Sequence, residues 1–321
     1  MARFHCRACA KEGTFIYDGH HACLSCNSVE VQFALGIEEF PDDHPFIETM
    51  RGLAKEDANR TKLRLWIVSD LHLELTRGWD LPSGDSRPKF DVMVVAGDLI
   101  PRMERGVALL LKCVTDQPVL YVAGNHEFYG CDIDRTVEKA RQIAAGTNVH
   151  ILQNDSVVID DVLFVGATLW TDFEFFGNRD LAMRRAAEGM NDYHKIRKRQ
   201  YAERLRPTDT LARHFESREF IGRTTRQSTA ARNVVITHHG CVPAAVKTGG
   251  EHDILSAAYC SDCSDLLEDV DLWVYGHTHE SRDFTIGRTR IVSNSKGYGP
   301  WLPKQRGWDN TRFDPNYVIE I

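Results

Sequence analysis

A chain of 321 residues, 42% hydrophobic and 26% charged, is long enough for one large domain and a small appendage, with the balance of a globular protein. Its formal net charge of -7 excludes a surface coated in positive charge for gripping nucleic acid everywhere, while leaving room for a local basic face. The start "MARFHCRACAKEG" lacks a signal peptide's apolar stretch, and runs such as "VALLL" are too short for a bilayer, so a soluble cytoplasmic protein is expected, with no membrane partner.

Four of the nine cysteines come first. Cys6, Cys9, Cys23 and Cys26 are spaced C-x2-C-x13-C-x2-C, with "YDG" between the pairs as a turn, which looks like a zinc ribbon over residues 1–40. Four thiolates around one structural zinc would make a closed, non-catalytic site; a redox dithiol is the other reading. Such a ribbon serves to bind nucleic acid or a protein partner, or to brace a domain. Residues 41–61, within "EEFPDDHPFIETMRGLAKEDANR", read as an acidic, partly helical linker.

From residue 62 to 321 strand and helix signals alternate, the pattern of an α/β domain with parallel strands in its early half. The expected strands are "LRLWIVS", "DVMVVAG", "PVLYVAG", "VHIL", "SVVIDDVLFVGATLW", "NVVITHH" and "DLWVYGH", with helices over 103–115 and 133–145. "DFTIGRTRIVSN" reads as a hairpin around Ile286-Gly287, and "NYVIEI" as a closing strand.

The strand ends carry the chemistry. In an extended chain residues i and i+2 point to one side, so Asp70 and His72 aim an oxygen and a nitrogen at a common point beyond "LWIVS". Alone, such a pair also reads as a solvated loop start. The event recurs, however: Gly97-Asp98, Gly124-Asn125-His126-Glu127, His238-His239 and Gly276-His277-Thr278-His279 each end an apolar run. Ligands of α/β sheets collect at such ends, and a mix of carboxylate, amide and imidazole without thiol suits divalent Mn, Fe, Zn or Co. Seven candidates are too many for one tetrahedral ion and suit two ions sharing a ligand, the arrangement used for in-line displacement at phosphorus.

The ordered blocks D-x-H, G-D, G-N-H-[DE], H and G-H-x-H resemble the calcineurin-like metallophosphoesterase superfamily over residues 63–321. The resemblance implies a four-layered α/β/β/α sandwich with two divalent ions at the strand ends. It implies that Asp70, His72 and His279 hold one ion, that Asn125, His238 and His277 hold the other, and that Asp98 bridges them. His238 rather than His239 takes the ligand position, being first after its strand. His126 is implied as the residue that contacts the phosphoryl group and protonates the leaving oxygen. The expected activity is hydrolysis of phosphodiesters, and of monoesters too, by hydroxide from metal-bound water; a nuclease, or a binding scaffold without catalysis, are the alternatives.

Specificity is less legible. "GDLIPRM" keeps Arg102 but has Pro101 and Met103 where the protein Ser/Thr phosphatase branch has Asp and Gly, which argues against a phosphoprotein substrate. Residues 179–232 hold 14 Lys and Arg against 7 Asp and Glu, a basic insert expected either as solvated helix faces or as a rim steering a nucleotide or nucleic acid, with "MNDYHKIR" as a lid. Tyr298 and Trp301 in "NSKGYGPWLP" either pack a loop or stack a base, and Cys260 and Cys263 read as packing residues.

Overall fold

The structure, a computed structural model, describes residues 2–6, 8–9, 12–15, 23, 25–26, 31–34, 62–76, 78–299 and 307–321. The linker expected over 41–61 and the loop residue Trp301 lie outside the described residues. The chain divides into two compact units, Met1–Thr61 and Lys62–Ile321. In the first, strands β1 (Ala2–Cys6), β2 (Glu12–Phe15) and β3 (Val31–Ala34) form an antiparallel sheet in the order β2-β1-β3.

The second unit holds two larger sheets. Parallel strands β4 (Arg64–Val68), β5 (Val92–Ala96), β6 (Val119–Val122) and β7 (Val149–Ile151) make one. The next strands are β8 (Asp155–Ile159), β9 (Val162–Ala167), the short pair β10 (Arg197–Lys198) and β11 (Glu203–Arg204), then β12 (Arg232–Thr237) and β13 (Leu272–Tyr275). The hairpin β14 (Ser281–Ile286) and β15 (Thr289–Asn294) follows, and β16 (Val318–Glu320) returns antiparallel to β4. The sheet orders are β16-β4-β5-β6-β7 and β14-β15-β13-β12-β9-β8. Helices are α1 (Met103–Cys113), α2 (Ile133–Ala144), α3 (Arg179–Gly189), α4 (Asp192–Lys195) and α5 (Pro207–Arg226). Among the described residues no helix is long and apolar enough to cross a membrane.

The two-residue period of the strands assigns their faces. Leu65, Ile67, Val92, Val94, Leu120 and Val122 meet Phe164, Val234, Ile236, Leu272 and Val274 between the sheets. The alternate residues Trp66, Val68, Met93, Val95 and Tyr121 pack instead on Met103, Val107 and Leu110 of α1 and Ile133, Val137 and Ala140 of α2. On the far side Val165, Val235, Trp273 and Tyr275 pack on Ile221 of α5. The layers are therefore α/β/β/α, as expected. Central strands covered on both faces must be apolar throughout, which is why the sequence shows runs rather than alternation.

Strands β4, β5 and β6 of one sheet and β12 and β13 of the other bring their carboxyl ends to one rim. The sheets are joined there: the Ser69 N–H donates to the Asn294 carbonyl at 3.2 Å, Thr168 Oγ1 to the Ala123 carbonyl at 2.8 Å and His238 Nδ1 to the Ala96 carbonyl at 2.9 Å. Crowding at this rim explains Gly124, where an added Cβ would press into Asp98 Oδ1 and lie 2.6 Å from the Asp98 amide nitrogen. The glycine makes room for the neighbouring carboxylate. Gly124→Ala is expected to destabilise the protein by about 1–3 kcal/mol, read as a lower urea midpoint at unchanged slope.

Candidate metal centre and active site

The residues named by the motif blocks converge. Five of them leave their strands with left-handed backbone: Asp70 (φ 52), His72 (φ 43), Asp98 (φ 56), His277 (φ 68) and His279 (φ 54). Each such non-glycine conformation costs roughly 1–3 kcal/mol and persists only where its surroundings hold it. Two groups of ligand-type atoms result, Asp70 with His72 and His279, and Asp98 with His238 and His277; within each group all atoms lie within 4.8 Å of one another. Asp98 stands between them, Oδ2 3.6 Å from His72 Nε2 and Oδ1 3.5 Å from His238 Nε2.

The hydrogen bonds at the back of these side chains decide what faces forward. His238 gives its Nδ1 proton to the Ala96 carbonyl, and burial holds its pKa below the ordinary value, so the ring is neutral and Nε2 presents a lone pair. Asn125 donates from Nδ2 to Asp192 Oδ1 at 2.8 Å, so its Oδ1 presents lone pairs as well. These two acceptors face each other at 3.0 Å. On the other side His279 donates from Nδ1 to Asp309 Oδ2 at 3.1 Å, leaving Nε2 3.1 Å from His72 Nε2 and 3.5 Å from Asp70 Oδ1. His277 Nε2 is buried without a partner among the described residues, and its Nδ1 lies 3.1 Å from His238 Nε2. Burial holds the His72 and His277 imidazoles well below their ordinary pKa and pushes the Asp98 carboxyl well up, with Glu127 next in effect. Acceptors set against acceptors in a buried pocket are what divalent cations satisfy, and this donor set fits them.

His126 lies beside both groups. Its backbone N–H donates to Asp98 Oδ1 at 2.8 Å, its Nδ1 donates to Glu74 Oε1 at 3.1 Å, and its Nε2 lies 3.3 Å from the Tyr298 hydroxyl. A cleft of about 450 Å³ opens over Asp98, Asn125, His126, His277 and His279, walled by Tyr129, residues 190–192, residues 247–250, Tyr259 and Tyr298.

In the first unit the four cysteines also meet, their sulfurs all within 4.8 Å, with Cys6–Cys26 at 3.6 Å and Cys9–Cys23 at 3.7 Å. Four sulfurs around a zinc at about 2.3 Å would be separated by roughly 3.8 Å, so these spacings suit a tetrahedral ion, and none of the four cysteines is in a disulfide. Backbone N–H groups of Ser25 and Cys26 lower the Cys23 thiol to about 6, which favours the thiolate a metal needs.

Residues 63–281 match the family model of the calcineurin-like phosphoesterases. The chain belongs to that family. Its members are generally metal-dependent hydrolases. A relative, Uncharacterized protein L509 of Acanthamoeba polyphaga mimivirus, is 24% identical over 282 residues, spanning 79% of this chain and 95% of that protein. Among solved structures, phosphopantetheinyl hydrolase (PptH) from Mycobacterium tuberculosis aligns with a TM-score of 0.59 at 18% identity, over 82% of this chain and 96% of that one; the likeness is one of fold.

Several residues of the site were not legible from the family blocks. Asp309 lies beyond the matched range and nothing near it in sequence marks it, whereas Tyr298 and Asp192 were expected only as a packing or stacking ring and as part of a lid, not as partners of His126 and Asn125. Glu74 continues the Asp70, His72 spacing and could have been found that way. Tyr298, expected either to pack or to stack, stands in the cleft wall at His126. Of "MNDYHKIR", Met190, Asn191 and Asp192 line the cleft, whereas Tyr193 is buried with its hydroxyl on Thr210. His239 is buried, donates to the Thr168 carbonyl at 3.1 Å and backs the His277 ring at 4.3 Å. Arg102 is exposed at the start of α1 and does not line the cleft. Cys260 and Cys263 are core residues.

The insert does not form a continuous basic rim. Arg179 pairs with Glu174, Lys198 with Asp209, Arg199 with Glu203, Arg213 with Asp134 and Arg218 with Asp265. Among the described residues lining the cleft, Lys247 is the one Lys or Arg.

Glu127, buried behind the site, accepts from the Asp98, Leu99 and Gly124 amides and from the Tyr121 hydroxyl. Glu127→Ala would strand all four donors, and an unfolding free energy lower by about 3 kcal/mol or more is expected by urea titration, with Glu127→Gln recovering part of it.

Proposed function

We propose that the protein is a dinuclear metal-dependent phosphoesterase that hydrolyses phosphodiesters, with a structural zinc ribbon at its N-terminus. The observation that carries this reading is the pair of inward-facing acceptor sets, each fixed from behind by a hydrogen bond and meeting at Asp98. Asp70, His72 and His279 would hold one ion, Asn125, His238 and His277 the other, with Asp98 shared; Mn, Fe, Zn or Co suit these donors. When bound, such ions neutralise charge on the phosphoryl group and acidify water near neutral pH.

The chain's own residues supply the rest. Asp309 and the Ala96 carbonyl fix the tautomers of His279 and His238, and Asp192 fixes the Asn125 amide so that its oxygen faces His238. Glu74 accepts from His126 Nδ1 and orients the ring, so Nε2 is the nitrogen turned toward the departing alkoxide, to which it would deliver a proton. The Tyr298 hydroxyl stands 3.3 Å from that nitrogen, within hydrogen-bond reach.

The walls favour a diester. Asp192 and Asp253 line the cleft, and among the described lining residues Lys247 is the one Lys or Arg, so a monoester dianion meets more repulsion than a diester monoanion. Phosphopantetheine esters join the substrate panel because of the named fold neighbour.

His126→Ala is expected to lower kcat about 10²–10⁴-fold on an alkyl diester with a poor leaving group while the metal content of the cleft is unchanged by elemental analysis. Full activity on that substrate refutes the acid role. Separately, Cys23→Ser is expected to remove one zinc per chain, leaving turnover of bis(p-nitrophenyl) phosphate intact; zinc retained at wild-type stoichiometry means no ribbon.

A further inference from the structure

We infer that the groove on the far side of His126 from the cleft is a subsite for a phosphate carried by the substrate's leaving group. This rests on the proposed phosphoesterase reading and extends it to a substrate class. The groove encloses about 600 Å³ and shares His126 and Tyr129 with the cleft; His194, Lys195, Arg197 and Tyr201 line its other side. The proton donor to the leaving oxygen therefore stands at the doorway between the two spaces.

Charge sorts along residues 195–199. Strand parity turns Arg197 and Lys198 to opposite sides. Lys198 goes to Asp209 at 2.6 Å and Arg199 to Glu203 at 2.7 Å, away from the groove. Lys195, with Nζ 5.0 Å from the Tyr129 ring centre, and Arg197 face the groove. Among the described residues neither has a carboxylate in ion-pair reach. The carboxylate that the groove does contain near His126, Glu74, is already engaged with that imidazole.

The backbone holds these cations in place. The Arg197 N–H donates to the Cys131 carbonyl at 2.8 Å and the Gly130 N–H to the Lys195 carbonyl at 3.1 Å, so the segment is clamped to the loop that follows His126. At the hairpin tip Arg199, Gln200 and Tyr201 are all left-handed, with φ 52, 56 and 72, and the Tyr201 N–H is tied to Asp132 Oδ2 at 3.1 Å. Tyr201 is 43% exposed and lines the groove. A Lys point charge and an Arg fork lining one groove, with no carboxylate in ion-pair reach among the described residues, next to the imidazole proposed as leaving-group acid, suit a phosphate.

Dithymidylate with and without terminal phosphates tests this in the full-length protein supplied with manganese. Wild type is expected to favour the phosphorylated form about tenfold, through KM rather than kcat. The Lys195→Ala, Arg197→Ala double variant should lose that preference while hydrolysing bis(p-nitrophenyl) phosphate as wild type does, and Arg199→Ala should keep it. No preference in wild type, or one that survives in the double variant, overturns the subsite.

Calorimetric binding of thymidine 3′,5′-bisphosphate to metal-depleted protein reads the subsite without catalysis. Loss of binding in the double variant supports it, and undiminished binding refutes it. A protein that binds this probe through Lys195 and Arg197 yet hydrolyses no phosphoester would sink the catalytic reading and leave the subsite standing. Ribose 5-phosphate separates the sources of the phosphate: binding equal to the nucleotide's points to a sugar phosphate, whereas tighter nucleotide binding that Tyr201→Ala abolishes points to a nucleotide.

Discussion

The carboxylate of Glu127 ties the ends of β5 and β6 to each other. It accepts from the Asp98 amide at 2.9 Å, from the Leu99 and Gly124 amides at 2.7 Å each and from the Tyr121 hydroxyl at 2.7 Å, fully buried. Burying a carboxylate is costly unless its lone pairs are filled by donors, and here four donors fill them. The Asp98 side chain is then aimed by this backbone, with its Oδ1 taking the His126 N–H. Asp98 stands between the two candidate ligand groups, 3.6 Å from His72 Nε2 and 3.5 Å from His238 Nε2, so their alignment depends on a carboxyl group, Glu127, that itself faces no ligand site.

The arrangement leaves an imbalance of charge. Asp70, Asp98, Glu127 and Asp192 are all buried within one rim, and among the described residues Lys296 is the one fully buried Lys or Arg there. Its ammonium donates to Thr76 Oγ1 and to the Gly297 carbonyl, lies 5.7 Å from the Trp79 ring and 5.8 Å from the Trp308 ring, and is lowered by burial to about 8. One such cation does not balance four carboxylates. Together with the left-handed ligands and the facing lone pairs, this couples the stability of the rim to cations bound there, so metal affinity and folding free energy are expected to move together.

What the sequence shows of this rim follows from how local each signal is. Apolar runs mark strands, and Asp, Asn or His after a run marks a strand end, since both depend on neighbours one or two positions away. Asp309 holds His279 from thirty residues on, and Asp192 holds Asn125 from sixty-seven residues on, so only the fold brings them together. Glu127 sits inside the G-N-H-[DE] block, yet its task, accepting from backbone amides, leaves no mark on the residues it serves. The basic insert was legible as a surplus of charge but not as a direction. Alternation along two residues, Arg197 and Lys198, decides which cation meets the groove and which meets Asp209.

That alternation also separates two tasks in space. The metal-type ligands leave strands locked between two layers of core, where any shift costs packing. The groove cations, Lys195 at the end of α4 and Arg197 in the β10–β11 hairpin, sit on a segment clamped to residues 130–132, just after the short turn that carries His126. Changes at residues 195–201 can alter what the leaving side accepts without disturbing β4, β5, β12 or β13. On the proposed reading, the acidic wall on one side of His126 and the cations on the other would give a diester a direction, its phosphoryl group over the two acceptor sets and its charged leaving group past the imidazole. Opposite fields across one imidazole would then make His126 the point where specificity and chemistry meet.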